Sequence, residues 1–212
     1  MPDYLEPHFD RAALLLVDVQ RDFIDGAMPV AGTGELVPAL APLAAAFRRA
    51  GRPIVHLVRL YRPDGTDVDA VRRARIEAGA RVVAPGSPGA EIPPELLPGQ
   101  LPVPLDAPTL LGGGAQHLGG REVVLWKPRW SGFHRTDLAA RLAAEQVDTV
   151  VVAGCNLPNC PRATLFDASS LDLRAVVVHD AVSQASAERL ADLALIGVAS
   201  VSLAEVIARL ET

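Results

Sequence analysis

The sequence predicts an α/β fold in which a doubly wound, mostly parallel sheet forms the middle of a three-layer, Rossmann-like α/β/α domain. Short apolar runs alternate along the chain with segments that carry apolar residues at helical spacing, as in strands joined by helical crossovers. The runs are apolar throughout, which is typical of strands buried on both faces. No internal repeat occurs and no second domain is indicated, so we expect a single domain over residues 1–212.

The first elements follow from apolar runs and from residues that end helices. Ala12–Val17 reads AALLLV and predicts a buried strand. The Ala-rich segment Leu36–Ala50 predicts a helix that ends at Gly51, a residue type favoured just beyond helix ends. Pro53–Leu60 predicts the second strand, and the charge spacing of Asp67–Ala80 predicts an exposed helix.

The second half of the chain also alternates between predicted strands and predicted helices. Glu122–Trp126 predicts a third strand and Thr136–Glu145 a helix with Ala and Leu at core spacing. The β-branched run Thr149–Ala153 predicts a fourth strand, Pro161–Ser170 its helix, and Ala175–His179 a fifth strand. Proline at the first helical position fits because its missing N–H would have no partner there.

Three short elements close the chain. We expect a helix near Ala187–Ile196, a strand at Ala199–Val201 and a last helix near Leu203–Leu210. Ser202 and Glu205 have the spacing of a capping box for the last helix.

A Pro/Gly-rich excursion at about residues 80–120 breaks this rhythm and carries no clear periodicity. Loops of this length are uncommon in compact domains and are often functional or part of an interface. We therefore expect the excursion to form a lid over this chain's pocket or a neighbour's, or an interface.

Composition excludes several classes of protein. The formal net charge is −5 and no basic cluster occurs, so we expect no nucleic-acid partner. No apolar run approaches the ~20 residues that span a bilayer, so we expect no membrane partner. The acidic N-terminal residues lack the apolar stretch of a signal peptide, and the chain has only two cysteines. These features predict a cytoplasmic protein without a disulfide framework.

Three reactive residue types follow three predicted strands. Asp18 follows the first strand, Lys127 the third, and Cys160 the fourth. Because parallel strands end at the same edge of a sheet, we expect an acid, a cation and a thiol to meet there. As the expected N-cap of a helix beginning at Pro161, Cys160 would be favoured as the thiolate by the helix dipole. The alternative is an inert buried cysteine.

Three blocks of the sequence, LLLVDVQRDF, VLWKPRWSGFHRTDL and VVVAGCNLPNCPRATLFDAS, resemble those of the isochorismatase-like cysteine hydrolases. That superfamily includes nicotinamidases and N-carbamoylsarcosine amidase. The resemblance implies a catalytic triad of Asp18, Lys127 and Cys160, and assembly as a homodimer or homotetramer. It also implies a cis peptide at Cys155–Asn156, an oxyanion hole made by the N–H groups of Asn156 and Cys160, and a structural role for Cys155.

The sequence also departs from the family. The region after the second strand lacks the His residues of the metal-binding nicotinamidases, so we expect no catalytic metal and no cofactor. His56 lies inside a strand and is expected to be a core histidine with a hydrogen-bond partner. The presence of Cys160 favours acyl transfer over the vinyl-ether cleavage of the true isochorismatases. Leu157, Pro158, Asn159 and Pro161 differ from the usual residues and alter the expected pocket wall.

Substrate-binding candidates are the polar and aromatic side chains near the expected site. They are Phe23, Arg59, Tyr61, Trp130, Phe133 and His134. Arg59 could bind a substrate carboxylate through its planar guanidinium. It could equally pair with Asp64 or Asp67 at the surface.

These features predict a metal-independent cysteine hydrolase that cleaves an amide, lactam or carbamoyl C–N bond of a small molecule through a thioester. Lactam opening of the streptothricin hydrolase type is one candidate. The alternatives are an isochorismatase-type or nicotinamidase-type hydrolase, a reactive-thiol redox or binding protein without hydrolysis, and a scaffold whose role is oligomerisation.

Overall fold

A computed structural model describes residues 3–211 and contains one seven-stranded sheet in the order β3-β4-β2-β1-β5-β6-β7. Five neighbouring pairs are parallel, and only β3 runs antiparallel to its neighbour, β4. The mostly parallel α/β fold is therefore confirmed. The strands are β1 Ala12–Val17, β2 Ile54–Val58, β3 Ala115–Gly119, β4 Glu122–Trp126, β5 Thr149–Gly154, β6 Arg174–Val182 and β7 Ala199–Val201.

Helices cover both faces of this sheet. They are α1 Arg21–Ile24, α2 Val37–Arg49, α3 Ala70–Glu77, α4 Ala107–Leu111, α5 Leu138–Ala144, α6 Cys160–Ser170, α7 Ala187–Ala194 and α8 Leu203–Leu210. The helix α2 ends just before Gly51, which has a φ of 65°, and Ser202 and Glu205 form the expected capping box of α8. No helix within residues 3–211 combines the length and apolar character that crossing a bilayer requires.

The central strand β1 explains why its sequence is apolar at every position. Leu14 and Leu16 pack into one core with residues of α2 and α8, whereas Leu15 and Val17 pack into a second core with residues of α5, α6 and α7. All six residues of β1 are buried. Because β1 lies between β2 and β5, its carboxyl end faces the crevice where the order of strands reverses, the usual place for a site in such sheets.

The Pro/Gly-rich excursion has more structure than its sequence indicates. It contains three short 3₁₀ turns (Pro88–Ala90, Pro94–Leu96 and Pro98–Gln100), followed by α4 and the edge strand β3. Val83, Ile92 and Leu96 are buried in the first core. Apolar side chains therefore anchor the excursion to its own domain. The strand β3 reads AQHLG and has no β-branched residue, so composition alone did not indicate it.

Two buried polar side chains tie the excursion to the carboxyl end of β1. Asp22 accepts hydrogen bonds from the N–H groups of Val83, at 2.6 Å, and Ala27, at 2.9 Å. Gln20 donates to the carbonyl of Ala90 at 2.7 Å. A Cβ atom on Gly89 would lie within 2.2–2.3 Å of the Asp22 carboxyl group, so this close approach requires glycine.

We predict that Asp22→Ala lowers the free energy of unfolding by about 1–3 kcal/mol, because the buried N–H of Val83 would lose its acceptor. Urea unfolding followed by circular dichroism measures the change. Asp25→Ala is the control, since Asp25 is exposed at the end of the same helix. Equal stability of the two variants would contradict the anchoring role of Asp22.

Candidate active site

The carboxyl ends of β1 and β4 bring a carboxylate and an ammonium group together. Lys127 Nζ donates to Asp18 Oδ2 at 2.9 Å, and both side chains are buried. Lys127 directly follows β4, and its N–H continues the sheet pairing by donating to the carbonyl of Val58. The other carboxylate oxygen, Asp18 Oδ1, is buried and has no hydrogen-bond partner among the described residues. Asp18 therefore keeps a free acceptor on the side not occupied by Lys127.

Asp18 adopts a backbone conformation that non-glycine residues rarely use. Its φ is 52°, and its N–H donates to the carbonyl of Leu57 at 2.8 Å. Side chains in the left-handed region carry a conformational cost, and such residues are concentrated at functional sites. The hydrogen bond to the neighbouring strand holds this conformation and with it the direction of the carboxylate.

Cys160 lies at the start of α6 and lines the same cavity as Asp18. The helix begins one residue earlier than the sequence predicts: the Ala163 N–H donates to the carbonyl of Asn159 at 2.9 Å, which makes Asn159 the N-cap. Cys160 is therefore the first helical residue, and its expected place as the N-cap was wrong.

The surroundings of Cys160 oppose the thiolate form that the helix dipole is expected to favour. Burial, and after it the negative charge of Asp18, raises the pKa of the Cys160 thiol above its ordinary value. The positive charges of Lys127 and Arg59 oppose this shift without overcoming it. Cys160 is therefore a protonated thiol at neutral pH and needs a base before it can act as a nucleophile.

The loop between β5 and α6 contains no cis peptide, so the expected cis bond at Cys155–Asn156 is a wrong prediction; no peptide within residues 3–211 is cis. Gly154 makes the turn instead, with a φ of 112°. A side chain there would bring a Cβ atom to 2.4 Å from the carbonyl oxygen of Val17. The N–H groups of Asn156 and Cys160, the expected oxyanion hole, donate to no acceptor within the described chain.

Cys155 is small and buried, as expected of a structural residue, but it also lines the cavity that holds Cys160. Burial raises the pKa of its thiol to about 12. Cys155 is therefore protonated at any physiological pH, and only Cys160 has a neighbouring cation to stabilise a thiolate.

Arg59 lies against Cys160, with its side chain 1% exposed. One guanidinium nitrogen is 3.6 Å from Cys160 Sγ, another is 3.2 Å from Asp69 Oδ2, and Nε is buried without a hydrogen-bond partner. The alternative in which Arg59 pairs with Asp64 or Asp67 at the surface is wrong, because Arg59 is buried and pairs with Asp69. Asp67 instead binds Arg129 and Arg135.

Asp69 organises this side of the cavity, although the sequence did not single it out. Its Oδ2 also accepts from the Tyr61 hydroxyl at 3.0 Å, and its Oδ1 accepts from Arg72 at 3.3 Å. Burial raises the pKa of Tyr61 against the opposing positive charges of Arg59 and Arg72, so its phenol stays protonated and acts as a donor. Asp69 precedes α3, but its side chain does not cap the helix. The sequence pattern of a helix cap therefore could not have predicted the contacts of Asp69 with the cavity residues.

The structure brings only some of the predicted binding residues to Cys160. Phe23, Arg59 and Tyr61 line its cavity. Trp130 and His134 line a separate cavity instead, and Phe133 packs against the second core. In the segment after Lys127, Arg129 donates hydrogen bonds to the carbonyl and the carboxylate of Asp67. The cavity residues that sequence reasoning missed are Val30 and Arg72, and Cys155 was expected to have only a structural role.

The cavity around Cys160 is small, with an empty volume of about 320 Å³ including its mouth. A larger cavity of about 780 Å³ lies under the Pro-rich segment, but its lining contains no thiol and no lysine. The nucleophile and its base therefore indicate the smaller cavity as the candidate site.

The part of the chain that the structure describes lacks a cluster of side chains that could bind a metal ion. No group of three or more His, Cys, Asp or Glu side chains is placed to hold a metal ion there. His56 is a buried core histidine, as expected, and shares a hydrogen bond of 2.7 Å with Glu122, which also binds Arg48.

The chain matches the family model described as the isochorismatase domain over residues 12–104 and 114–209. It is 31% identical over 201 residues to a probable inactive nicotinamidase of Arabidopsis thaliana, covering 91% of this chain and 93% of the relative. It is also 31% identical over 196 residues to a ureidoacrylate amidohydrolase of Methylobacterium radiotolerans, covering 86% and 70%. Streptothricin hydrolase of Streptomyces noursei is 32% identical over 169 residues, covering 80% of this chain but 48% of that enzyme.

Solved structures show the same fold. An isochorismatase family protein of Desulfovibrio vulgaris superposes with a TM-score of 0.78 at 32% identity, covering 95% of this chain and 99% of the other. N-carbamoylsarcosine amidase of Thermoplasma acidophilum superposes with a TM-score of 0.70 at 26% identity, covering 91% and 96%.

We predict that Asp18→Asn lowers the pKa of the Cys160 thiol, because the substitution removes a negative charge that disfavours the thiolate. The midpoint of iodoacetamide alkylation, followed at the Cys160 peptide by mass spectrometry, should therefore move to lower pH. Asp25→Asn, at an exposed position, should leave the midpoint unchanged. A midpoint that rises or stays constant in Asp18→Asn would contradict this electrostatic coupling.

Proposed function

The chain belongs to the isochorismatase family and is a hydrolase, and we propose that it cleaves a C–N bond of a small molecule through a thioester on Cys160. The bond belongs to an amide, lactam or carbamoyl group. The observation that carries this proposal is the free, buried oxygen of Asp18 in the cavity that holds a protonated Cys160 thiol. A carboxylate with one oxygen held by Lys127 and the other open is placed to act as a general base.

The first step is proton transfer and attack. Asp18 takes the proton from the Cys160 thiol, and the new thiolate is stabilised by Lys127 and by Arg59, whose guanidinium lies 3.6 Å from the sulfur. The thiolate attacks the carbonyl carbon of the substrate, and the carbonyl oxygen becomes an oxyanion. Because the pKa of Cys160 is raised, this step depends on the base.

The oxyanion needs donors that are not already occupied. The N–H groups of Asn156 and Cys160 donate to no described acceptor, and Cys160 is the first residue of α6, where an N–H has no partner within the helix. A donor of this kind typically contributes about 2.7–4 kcal/mol to the transition state. We assign these two groups as the oxyanion hole.

The second half of the reaction returns the proton. The tetrahedral intermediate collapses, the C–N bond breaks, and protonated Asp18 gives its proton to the leaving nitrogen. Asp18 then removes a proton from a water that attacks the thioester, releasing the acid and restoring the Cys160 thiol. The proposal assigns every proton transfer to Asp18, so no step is routed through a metal or a cofactor.

The candidate hydrolytic activities differ in the small molecule that is cleaved. The relatives named above are a ureidoacrylate amidohydrolase, a streptothricin hydrolase and a probable inactive nicotinamidase. Lactam opening and nicotinamidase-type hydrolysis therefore belong in the substrate panel. Cleavage of the isochorismatase type is the remaining hydrolytic alternative. We propose an open-chain or cyclic amide, because Cys160 and Asp18 together suit acyl transfer.

A reactive-thiol protein without hydrolysis fits the site less well. Redox-sensing thiols are accessible and have a lowered pKa, whereas Cys160 is buried and its pKa is raised. The thiol chemistry therefore favours base-assisted catalysis.

Location and assembly are part of the proposal. Both cysteines are free thiols, which suits the reducing cytoplasm.

Val71 and Trp130 expose apolar surface around the cavity next to Asp69. We propose that this surface forms the contact of a homodimer or homotetramer. Light scattering coupled to size-exclusion chromatography measures the oligomeric state, and a monomer would contradict the proposed assembly.

We predict that Cys160→Ala reduces turnover of amide substrates by about 10⁴-fold or more, because the nucleophile is lost. The measurement is product release from a panel of amides, lactams and carbamoyl compounds. In the wild type, rapid quenching and intact-mass spectrometry should show an acyl group on Cys160 that hydroxylamine removes. Circular dichroism checks that the variant folds. Full activity of Cys160→Ala, or turnover without an acyl-enzyme, would overturn the mechanism.

A further inference from the structure

The left-handed conformation of Asp18 interrupts the hydrogen-bond ladder between β1 and β2. In a parallel ladder, a residue whose N–H donates to one residue of the neighbouring strand accepts, through its carbonyl, from the residue two positions further along that strand. The Asp18 N–H donates to the carbonyl of Leu57 at 2.8 Å, so the regular donor to the Asp18 carbonyl would be the N–H of Arg59. That carbonyl accepts instead from the N–H of Gln20 at 3.0 Å. The Arg59 N–H therefore loses its regular acceptor.

The side chain of Gln20 takes the place of the missing acceptor. Its Oε1 accepts from the Arg59 N–H at 2.8 Å, and its Nε2 donates to the Arg59 carbonyl at 2.8 Å and to the Ala90 carbonyl at 2.7 Å. Gln20 is fully buried, and a side-chain amide has two N–H donors and one carbonyl acceptor. Both donors and the acceptor are thus occupied by backbone groups, and two of these three partners belong to Arg59.

The position of Arg59 matters because its guanidinium lies 3.6 Å from Cys160 Sγ. The guanidinium is held at its tip by Asp69, whose Oδ2 is 3.2 Å away. The backbone of Arg59, which lies just beyond the last residue of β2, is held by the amide of Gln20. Arg59 is therefore fixed at both ends, and its buried backbone groups would lack partners without Gln20.

The charges around the thiol make its pKa sensitive to where Arg59 lies. The negative charge of Asp18 disfavours the thiolate, whereas the positive charges of Lys127 and Arg59 favour it. Because the energy between two charges falls with their separation, displacement of the guanidinium would weaken its effect on the sulfur. Other titratable or charged side chains at this cavity, unchanged in the variants below, are those of Cys155, Tyr61, Asp69 and Arg72.

We propose that Gln20 is a positioning residue for Arg59: its side-chain amide replaces the ladder partner lost at Asp18 and keeps the guanidinium beside Cys160 Sγ. The conformation that directs the carboxylate of Asp18 and the placement of Arg59 are then linked through one buried amide. This inference rests on the function proposed above for its effect on turnover, whereas its effect on the thiol is measured without turnover.

The first test replaces the amide by an apolar side chain of similar length. In Gln20→Met we expect the midpoint of iodoacetamide alkylation at Cys160 to rise by about one pH unit, because a close positive charge that favours the thiolate moves away. Gln116→Met is the matched control. Gln116 also joins two backbone groups of the excursion, accepting from the Asp106 N–H at 2.8 Å and donating to the Pro104 carbonyl at 2.9 Å. It does not line the cavity of Cys160, so its variant should keep the wild-type midpoint.

The second test is a double-mutant cycle with Arg59→Met, which separates positioning from a general loss of structure. Without the guanidinium, Gln20 has no charge left to position. Gln20→Met should therefore shift the midpoint in the wild type and leave it unchanged in the Arg59→Met background. Equal shifts in the two backgrounds, or no shift in either, would refute the positioning role.

Circular dichroism and urea unfolding show whether Gln20→Met folds. If it does not, Gln20→Asn takes its place in the cycle, because it keeps the amide on a side chain that is one carbon shorter. Its midpoint should rise by less than one pH unit and again only when Arg59 is present. If neither variant folds, Gln20 is a structural residue and the proposal is wrong.

Turnover gives an independent measurement. Gln20→Met should lower kcat by about 10-fold, the equivalent of one pKa unit, and leave KM near its wild-type value, because Gln20 does not line the cavity. Gln116→Met should leave both constants unchanged. A higher KM with an unchanged kcat would argue for a binding role instead and count against the proposal.

The outcomes distinguish this inference from the proposed function. If no amide, lactam or carbamoyl compound acylates Cys160, the proposed function fails, and the alkylation midpoints still decide whether Gln20 positions Arg59. If such compounds are hydrolysed while Gln20→Met changes neither the midpoint nor kcat, the inference fails and the thioester mechanism stands.

Discussion

The buried ion pair between Lys127 and Asp18 is the interaction on which the candidate site depends. Its Nζ–Oδ2 distance is 2.9 Å and both side chains are nearly inaccessible. Burying two charges is costly, and removing one partner of such a pair leaves the other uncompensated. The pair joins the ends of β1 and β4, and it leaves one carboxylate oxygen unpartnered beside the thiol. The fold therefore holds these two side chains in contact with each other, beside the thiol and away from bulk water.

Burial and the charged side chains around Cys160 together set the pKa of its thiol. Burial raises the pKa of the thiol, and the carboxylate that would receive its proton raises it further. A buried, protonated thiol is a poor nucleophile until a base removes its proton. The positive charges of Lys127 and of Arg59, whose guanidinium lies 3.6 Å from the sulfur, oppose this shift.

Most of the fold could be predicted because its strands are uniformly apolar and its helices follow in regular order. β1, β4 and β7 have the predicted bounds, and the capping box at Ser202 is present. The excursion after α3 could not be predicted. Its Pro-rich sequence has no periodicity, and its order comes from buried contacts such as that of Asp22 with the Val83 N–H, which join residues far apart in the chain.

The sequence by itself determined the family blocks and the order of Asp18, Lys127 and Cys160 after three strands, because parallel strands must end at one edge. Only the tertiary structure decided the electrostatics around them. Asp69 gathers Arg59 and Arg72 from segments whose pattern indicates only a strand and an exposed helix. The raised pKa of Cys160 likewise depends on desolvation and on charges from other strands. Such properties depend on distances through space, which periodicity along the chain does not encode.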